Sequence, residues 1–290
     1  MRISDSQRFA VAARQLATQQ RALVRASEQM SSGQRWNSIS EDPVGGREVL
    51  GIDAALRASA QTRRTIGRSG ERLAAEENLL QQMSDILSRA KELATAQGGA
   101  NGSAMTRAAT AAEVSQLRSQ LIDLGNTRVA GEYLFGGLET GAPPFQADGS
   151  YIGTALSREQ SFGALQNKRV IHSGQELLID TGALQALADL EAALLADDGE
   201  AIRQQITVLD TAFDQGQALL AEVGARDLDL QRMTATLDSA DDSMTTRRAE
   251  LAEIPIEEAM MNLTTIQTAL QAAYLATSRI QSLSLTEYLR

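Results

Sequence analysis

Two stretches of this chain hold a seven-residue hydrophobic repeat for far longer than a globular helix needs. From Pro43 onward Ile52, Ser59, Ile66, Leu73, Leu80, Leu87 and Ala94 share one heptad position. After Asp198 the same is true of Leu209, Gly216, Val223, Leu230, Leu237, Met244 and Leu251. A second row carries Ala212, Leu219, Met233, Ala240 and Ile254, with Arg226 and Arg247 as exceptions. A repeat of this period puts one apolar stripe along a helix, and another helix has to cover that stripe. At ~1.5 Å per residue, about 55 residues make a rod of roughly 80 Å. The two stretches match in length, so they are expected to lie antiparallel, side by side.

Both ends repeat the pattern on a smaller scale. Phe9, Leu16, Leu23 and Met30 share a position, with Ala12 and Ala26 three residues further on and Gln19 as the exception. At the other end Ile256, Leu263, Leu270 and Thr277 form one row, and Ala259, Ile266, Ala273 and Ile280 the other. An isolated helix of ~28 residues is marginal unless its stripe is covered. These terminal helices are therefore expected to be partner-seeking, with Phe9, Leu16, Leu23, Met30, Ile256, Leu263, Ile266, Leu270 and Ile280 as the assembly interface.

Each terminal helix is separated from its long neighbour by a break. The first, SSGQRWNSISEDPVGGRE, contains weak helix formers at Ser31, Ser32 and Gly33, the chain's single tryptophan, and an Asp-Pro pair. Asp42 is expected to cap the helix that restarts there, with Pro43 in its first turn. Pro255 marks the second break. Gly33, Trp36, Asn37, Asp42, Pro43 and Pro255 thus define a joint. Trp36 suits either a binding anchor or packing of the joint against its own rod.

Between the long stretches, a helix is expected from Ala104 to about Arg128, with Val114, Leu117, Leu121 and Leu124 on one face. A glycine-rich region then runs from GEYLFGGLETGAPPF to about Ile179, its short β-prone runs and Pro143-Pro144 pair suggesting hairpins. The predicted fold is mainly α: an elongated antiparallel helical rod or coiled coil with paired terminal helices and a small β-rich insert at the tip. The predicted division is residues 1–42 with 255–290 as terminal helices and joint, 43–130 with 182–254 as the rod, and 131–181 as the insert.

Composition excludes several functions. Aromatic residues make up 3% of a chain that is 43% hydrophobic, which suits long helices packed through small side chains better than a compact globule. The net charge of −10 comes with its basic residues scattered among acids, a poor surface for nucleic acid. No run of apolar residues is long enough to span a membrane, and the N-terminus lacks the apolar centre of a secretory signal. The absence of cysteine removes disulfides and thiolate chemistry, and it fits a chain exported unfolded.

Candidate chemical sites are sparse. His172 is the only histidine, so no His-based triad or multi-histidine metal site can form within one chain, and a solvent-facing or locally bonded hairpin residue is expected. Asp197-Asp198-Gly199 lacks calcium-loop spacing and reads as a turn with a helix cap. The glycines from Gly131 to Gly137 lack the lysine of a phosphate loop. Glu76-Glu77, Asp241-Asp242 and Glu257-Glu258 are read as solvated helix faces, because adjacent helical residues point apart. No catalytic residue, metal or cofactor is expected.

The segment EQMSSGQRWNSISEDPVGGREV resembles the flagellin family, in which a Ser-Ser-Gly, an Asn-Ser pair and aspartates precede a small-residue helix start. The MRIS start and QTALQAAYLATSRIQSLSLTEYL are similar to the hook-associated members of that family, and NTRVAGEYLFGG with TGAPPF resembles the family's exit from the rod into its outer domain. Trp36 stands where the family commonly has a smaller aliphatic residue. The resemblance implies a non-enzymatic subunit exported unfolded through the flagellar channel without a cleaved signal, folding as it assembles in a ring outside the cell. Implied partners are further copies of itself, the hook-side junction protein, flagellin and an export chaperone. A filament subunit is the nearest rival, and a secretion-needle component is a further one.

Overall fold

The computed structural model describes residues 2–99, 102–156, 159–163 and 167–288, apart from the side chains of 2–6, 8–9 and 280–288. Among the described residues it is mainly α, with helices α1 (Arg2–Ser32), α2 (Pro43–Gln97), α3 (Ala104–Gly125), α4 (Ala183–Leu195), α5 (Gly199–Ala252) and α6 (Ile256–Tyr288). The small β region contributes β1 (Arg128–Val129), β2 (Glu132–Tyr133), β3 (Glu159–Ser161) and β4 (Asn167–Arg169), followed by one π-helical turn at Gln175–Ile179. The strands pair β1 with β2 and β3 with β4, both antiparallel. Ala130 and Gly131, both at positive φ, make the first turn, the geometry that suits a two-residue hairpin.

Helix boundaries follow local chemistry. Asp42 accepts from the N–H groups of Val44 (3.2 Å) and Gly45 (2.9 Å), with Pro43 opening α2 as expected. Asp198 caps α5 through Glu200 (2.9 Å) and Ala201 (3.1 Å). The third helix ends at Gly125, earlier than the expected Arg128. Asn126 there turns its side-chain amide to the backbone of Phe145, donating at 2.9 Å and accepting at 3.0 Å, which draws the insert onto the helix end. Gly125 has to be small, since a Cβ on it would stand 2.7 Å from the Phe145 ring.

The chain divides into two compact units. The first contains Met1–Arg57 and Asp238–Arg290. In it α1 packs along α6, and the ends of the long helices are pinned by Arg248 to Asp53 (2.8 Å) and Arg247 to Glu48 (2.9 Å).

The second unit is Ala58–Leu237. Its core takes Ile66, Leu73, Leu80 and Leu87 from α2, Val114 and Leu121 from α3, Leu187 and Leu190 from α4, and Leu209, Val223 and Leu230 from α5. Gln217 reaches Ser84 at 3.0 Å, seven residues along each helix from the Lys91–Asp210 ion pair, so this part of α5 runs antiparallel to α2. Phe135, Phe145 and Phe162 of the insert join the same core.

The insert does not sit at the far turn, as the sequence suggested. That turn is closed by buried Arg107, whose guanidinium donates to the carbonyls of Gln97 (3.2 Å), Gly99 (3.3 Å) and Asp197 (3.2 Å) and to the Asp197 carboxylate. Helix α3 carries the chain back from there, tied to α2 by Arg89–Glu113. The insert therefore docks alongside α2 and α5, where Arg72 meets Glu132 and Lys168 meets Asp229.

Candidate assembly interface

The predicted interface residues fall into two groups once the terminal helices are built. Leu16, Leu23 and Met30 of α1 and Leu263, Ile266 and Leu270 of α6 are half-buried, while Ala26 and Ala259 near the joint are buried at 2% exposure each. Each stripe is thus covered in part by the other within one chain, and cover is most complete beside the joint. Ile256 is 59% exposed and does not share this cover. The side chains of Phe9 and Ile280 lie outside the described residues.

A second apolar set, not anticipated from the heptads, remains in water. Val11, Val24, Met260, Met261, Tyr274 and Leu275 are each about half exposed or more. Only Tyr274 has a polar tether, its hydroxyl accepting from Gln20 at 2.9 Å. A groove of about 540 Å³ is lined by Val11, Arg14, Gln15, Thr18 and Gln19 of α1 and by Ala269 and Ala273 of α6. Apolar side chains left in water beside a groove are one of the features that interaction surfaces share.

The joint residues come together. Gly33, at φ +68°, ends α1 in the left-handed conformation that favours glycine, its N–H bonded to the Gln29 carbonyl at 2.9 Å. Gln34 then pairs with Glu253 in an isolated antiparallel bridge. Arg35 N–H donates to the Ala252 carbonyl (2.7 Å) and Ile254 N–H to the Gly33 carbonyl (3.0 Å). Trp36 is half-buried and donates its indole N–H to the Leu251 carbonyl at 3.3 Å. Its packing therefore belongs to the joint. Asn37 donates to Glu28 (3.3 Å), and Arg25 pairs with Glu41 across the same loop. Pro255, exposed, separates α5 from α6.

His172 corrects the expectation of a solvent-facing or locally bonded residue, since it is buried and its partners are distant in sequence. It is 2% exposed, and its backbone N–H and ring Nδ1 both meet the carboxylate of Glu76, which is fully buried and not part of a solvated face. Arg226 completes the cluster, with Nη2 2.7 Å from the His172 ring Nε2 and Nη1 3.2 Å from the Val170 carbonyl. Burial pulls the Arg226 guanidinium below its ordinary value, against the fields of Glu76 and Glu222. The sequence did carry a trace of this cluster. Arg226 interrupts the second apolar row of α5, and Glu76 interrupts the row Ser69, Met83 and Ala90 on α2, all of them buried. Two helical exceptions, Glu76 buried and Arg226 half-buried, bring their charges to one residue of the insert.

Among the described residues no group of three or more His, Cys, Asp or Glu side chains is placed to hold a metal ion, and no helix is long and apolar enough to cross a membrane.

Both ends of the chain match family models: residues 3–140 the bacterial flagellin N-terminal helical region and residues 206–289 the bacterial flagellin C-terminal helical region. Together they take in most of the chain, which belongs to the flagellin family. Within that family it stands with the hook-associated proteins. It is 25% identical to flagellar hook-associated protein 3 of Escherichia coli K12, with 98% of both chains covered. It is also 27% identical to the flagellar filament 30.7 kDa core protein of Treponema maltophilum, over 68% of this chain and 67% of that one. The fold is shared with Bacillus cereus FlgL (TM-score 0.61, 22% identity, 67% of this chain and 97% of that one). It is shared too with the flagellar junction protein FlgL of Legionella pneumophila (TM-score 0.59, 13% identity, 71% and 100%).

Proposed function

We propose that this chain is a structural, non-enzymatic subunit of the bacterial flagellum at the hook–filament junction, where it links the hook-side junction protein to flagellin. The observation that carries the reading is the end-to-end match to a hook-associated protein, beside a shorter match to a filament core protein. The subunit assembles outside the cell as a ring of copies of itself, after export through the flagellar channel as an unfolded chain. The lack of cysteine suits that route, since no cross-link can form on the way.

In this reading residues 1–42 and 255–290 form the inner assembly region, 43–130 with 182–254 the surrounding wall, and 131–181 an outer insert. The stripes through Phe9, Leu16, Leu23, Met30, Ile256, Leu263, Ile266, Leu270 and Ile280 set the seam. Neighbouring copies complete its cover, so the ends order fully only on assembly. Head-to-tail contacts of this kind close into rings or continue as helices. Before export the same apolar stripe on α6 is held by a chaperone.

The test is deletion of the gene in its host, with negative-stain electron microscopy of the cells and an assay for flagellin in the medium. Hooks without filaments and abundant monomeric flagellin outside support the junction role. Hooks without filaments and no flagellin outside identify the chain as the filament subunit, and normal filaments overturn both readings.

A further inference from the structure

Pro255 leaves a gap in the hydrogen bonding of α5, and the loop after α1 fills it. In an uninterrupted helix the N–H of residue 255 would donate to the carbonyl of Leu251, but proline has no N–H. The Trp36 indole donates to that carbonyl instead, at 3.3 Å. The next carbonyl, of Ala252, would have bonded residue 256 and takes the N–H of Arg35 at 2.7 Å. The Gly33 carbonyl in turn receives the N–H of Ile254 at 3.0 Å, and the Gln29 side chain holds the Arg35 carbonyl at 2.6 Å. The last carbonyls of α5 are therefore capped by the loop that follows α1.

We propose that Trp36 is the positioning residue of a single shared joint. It stands in for the donor that Pro255 lacks, and so ties the direction in which α6 leaves α5 to the loop between α1 and α2. The terminal helices then change direction together. The assembly reading is needed only to give this coupling a use: a subunit between two different neighbours presents its paired ends as one body. The geometry stands without it, and the test uses the unassembled chain, so its failure is separate from failure of the junction role.

Because the chain has no cysteine, nitroxide labels can be placed in pairs without background. Thr246→Cys with Met261→Cys reports the α5–α6 angle, and Ser27→Cys with Met261→Cys reports the α1–α6 pairing beside the joint. Dipolar electron paramagnetic resonance on the otherwise unaltered chain is expected to give one narrow distance for each pair. Trp36→Phe keeps an aromatic ring and removes the donor. It is expected to cost the 246–261 distance its single maximum while the 27–261 distance and the helical circular dichroism stay as they were. Arg35→Pro, which deletes the neighbouring donor, is expected to do the same, so the outcome does not depend on one variant folding. An unchanged 246–261 distance in Trp36→Phe, whatever Arg35→Pro shows, broadening of both pairs together, or a 246–261 distance already broad in the unaltered joint would each overturn the proposal.

Discussion

The His172 backbone N–H lies 3.2 Å and 3.3 Å from the two carboxylate oxygens of Glu76, a residue 96 positions earlier with no exposed surface. Truncating the carboxylate takes the partner from both the buried amide and the ring Nδ1 of His172. Glu76→Ala is expected to destabilise the second unit by about 3 kcal/mol. Glu77→Ala, next door but exposed, should stay within about 0.5 kcal/mol of the parent. Urea unfolding of the two variants checks this, and equal losses would contradict the buried placement.

Glu176 supplies an acid-sensitive contribution. Burial raises its pKa, but the Ser173 hydrogen bonds and the Arg169 guanidinium outweigh that and hold it below the usual value. With the folded pKa lower than the unfolded one, the stabilisation is complete above about pH 4.3 and is lost as pH falls through the folded value. Glu176→Gln should therefore make the thermal midpoint less dependent on pH below that point and change little in shape above it. A variant with the parent's full acid slope would contradict the assignment.

Arg107 closes the far turn with one planar guanidinium on three carbonyls and a carboxylate. Arg107→Ala leaves those acceptors short of donors and is expected to cost about 2–3 kcal/mol. Arg107→Lys should recover little, because an ammonium cannot span the same fork. Denaturant midpoints decide this, and a lysine variant as stable as the parent would count against the geometry.

Leu270 lies in the α1–α6 seam, half-buried. Leu270→Asp or Leu263→Asp is expected to block polymer formation while residues 45–250 keep their helical melting transition, since in the proposed assembly the charge would sit where copies close over the ends. Normal assembly of these variants would show that the seam is not the interface.

The helices were legible because one apolar row is enough to define each of them. Leu73, Leu80 and Leu87 are all buried where the repeat puts them, and Asp42 and Pro43 open α2 as capping chemistry requires. What a repeat does not state is which surface covers it. Leu23 and Leu263 are covered within the chain, Ile256 is in water, and Met261 and Leu275 make an apolar face outside the rows. The polar cluster was harder still. Glu76, His172 and Arg226 lie far apart in sequence and meet only because α3 returns the chain to the middle of α2, so helix exceptions were the one local sign of it. Trp36 was identifiable as part of a joint, yet its role depends on a proline more than two hundred residues away.

The most direct test of the junction role is to locate the chain on intact flagella by immunogold electron microscopy with an antibody against residues 131–181. Gold confined to the boundary between hook and filament is the predicted result. Gold along the whole filament, or none on the flagellum, would contradict it.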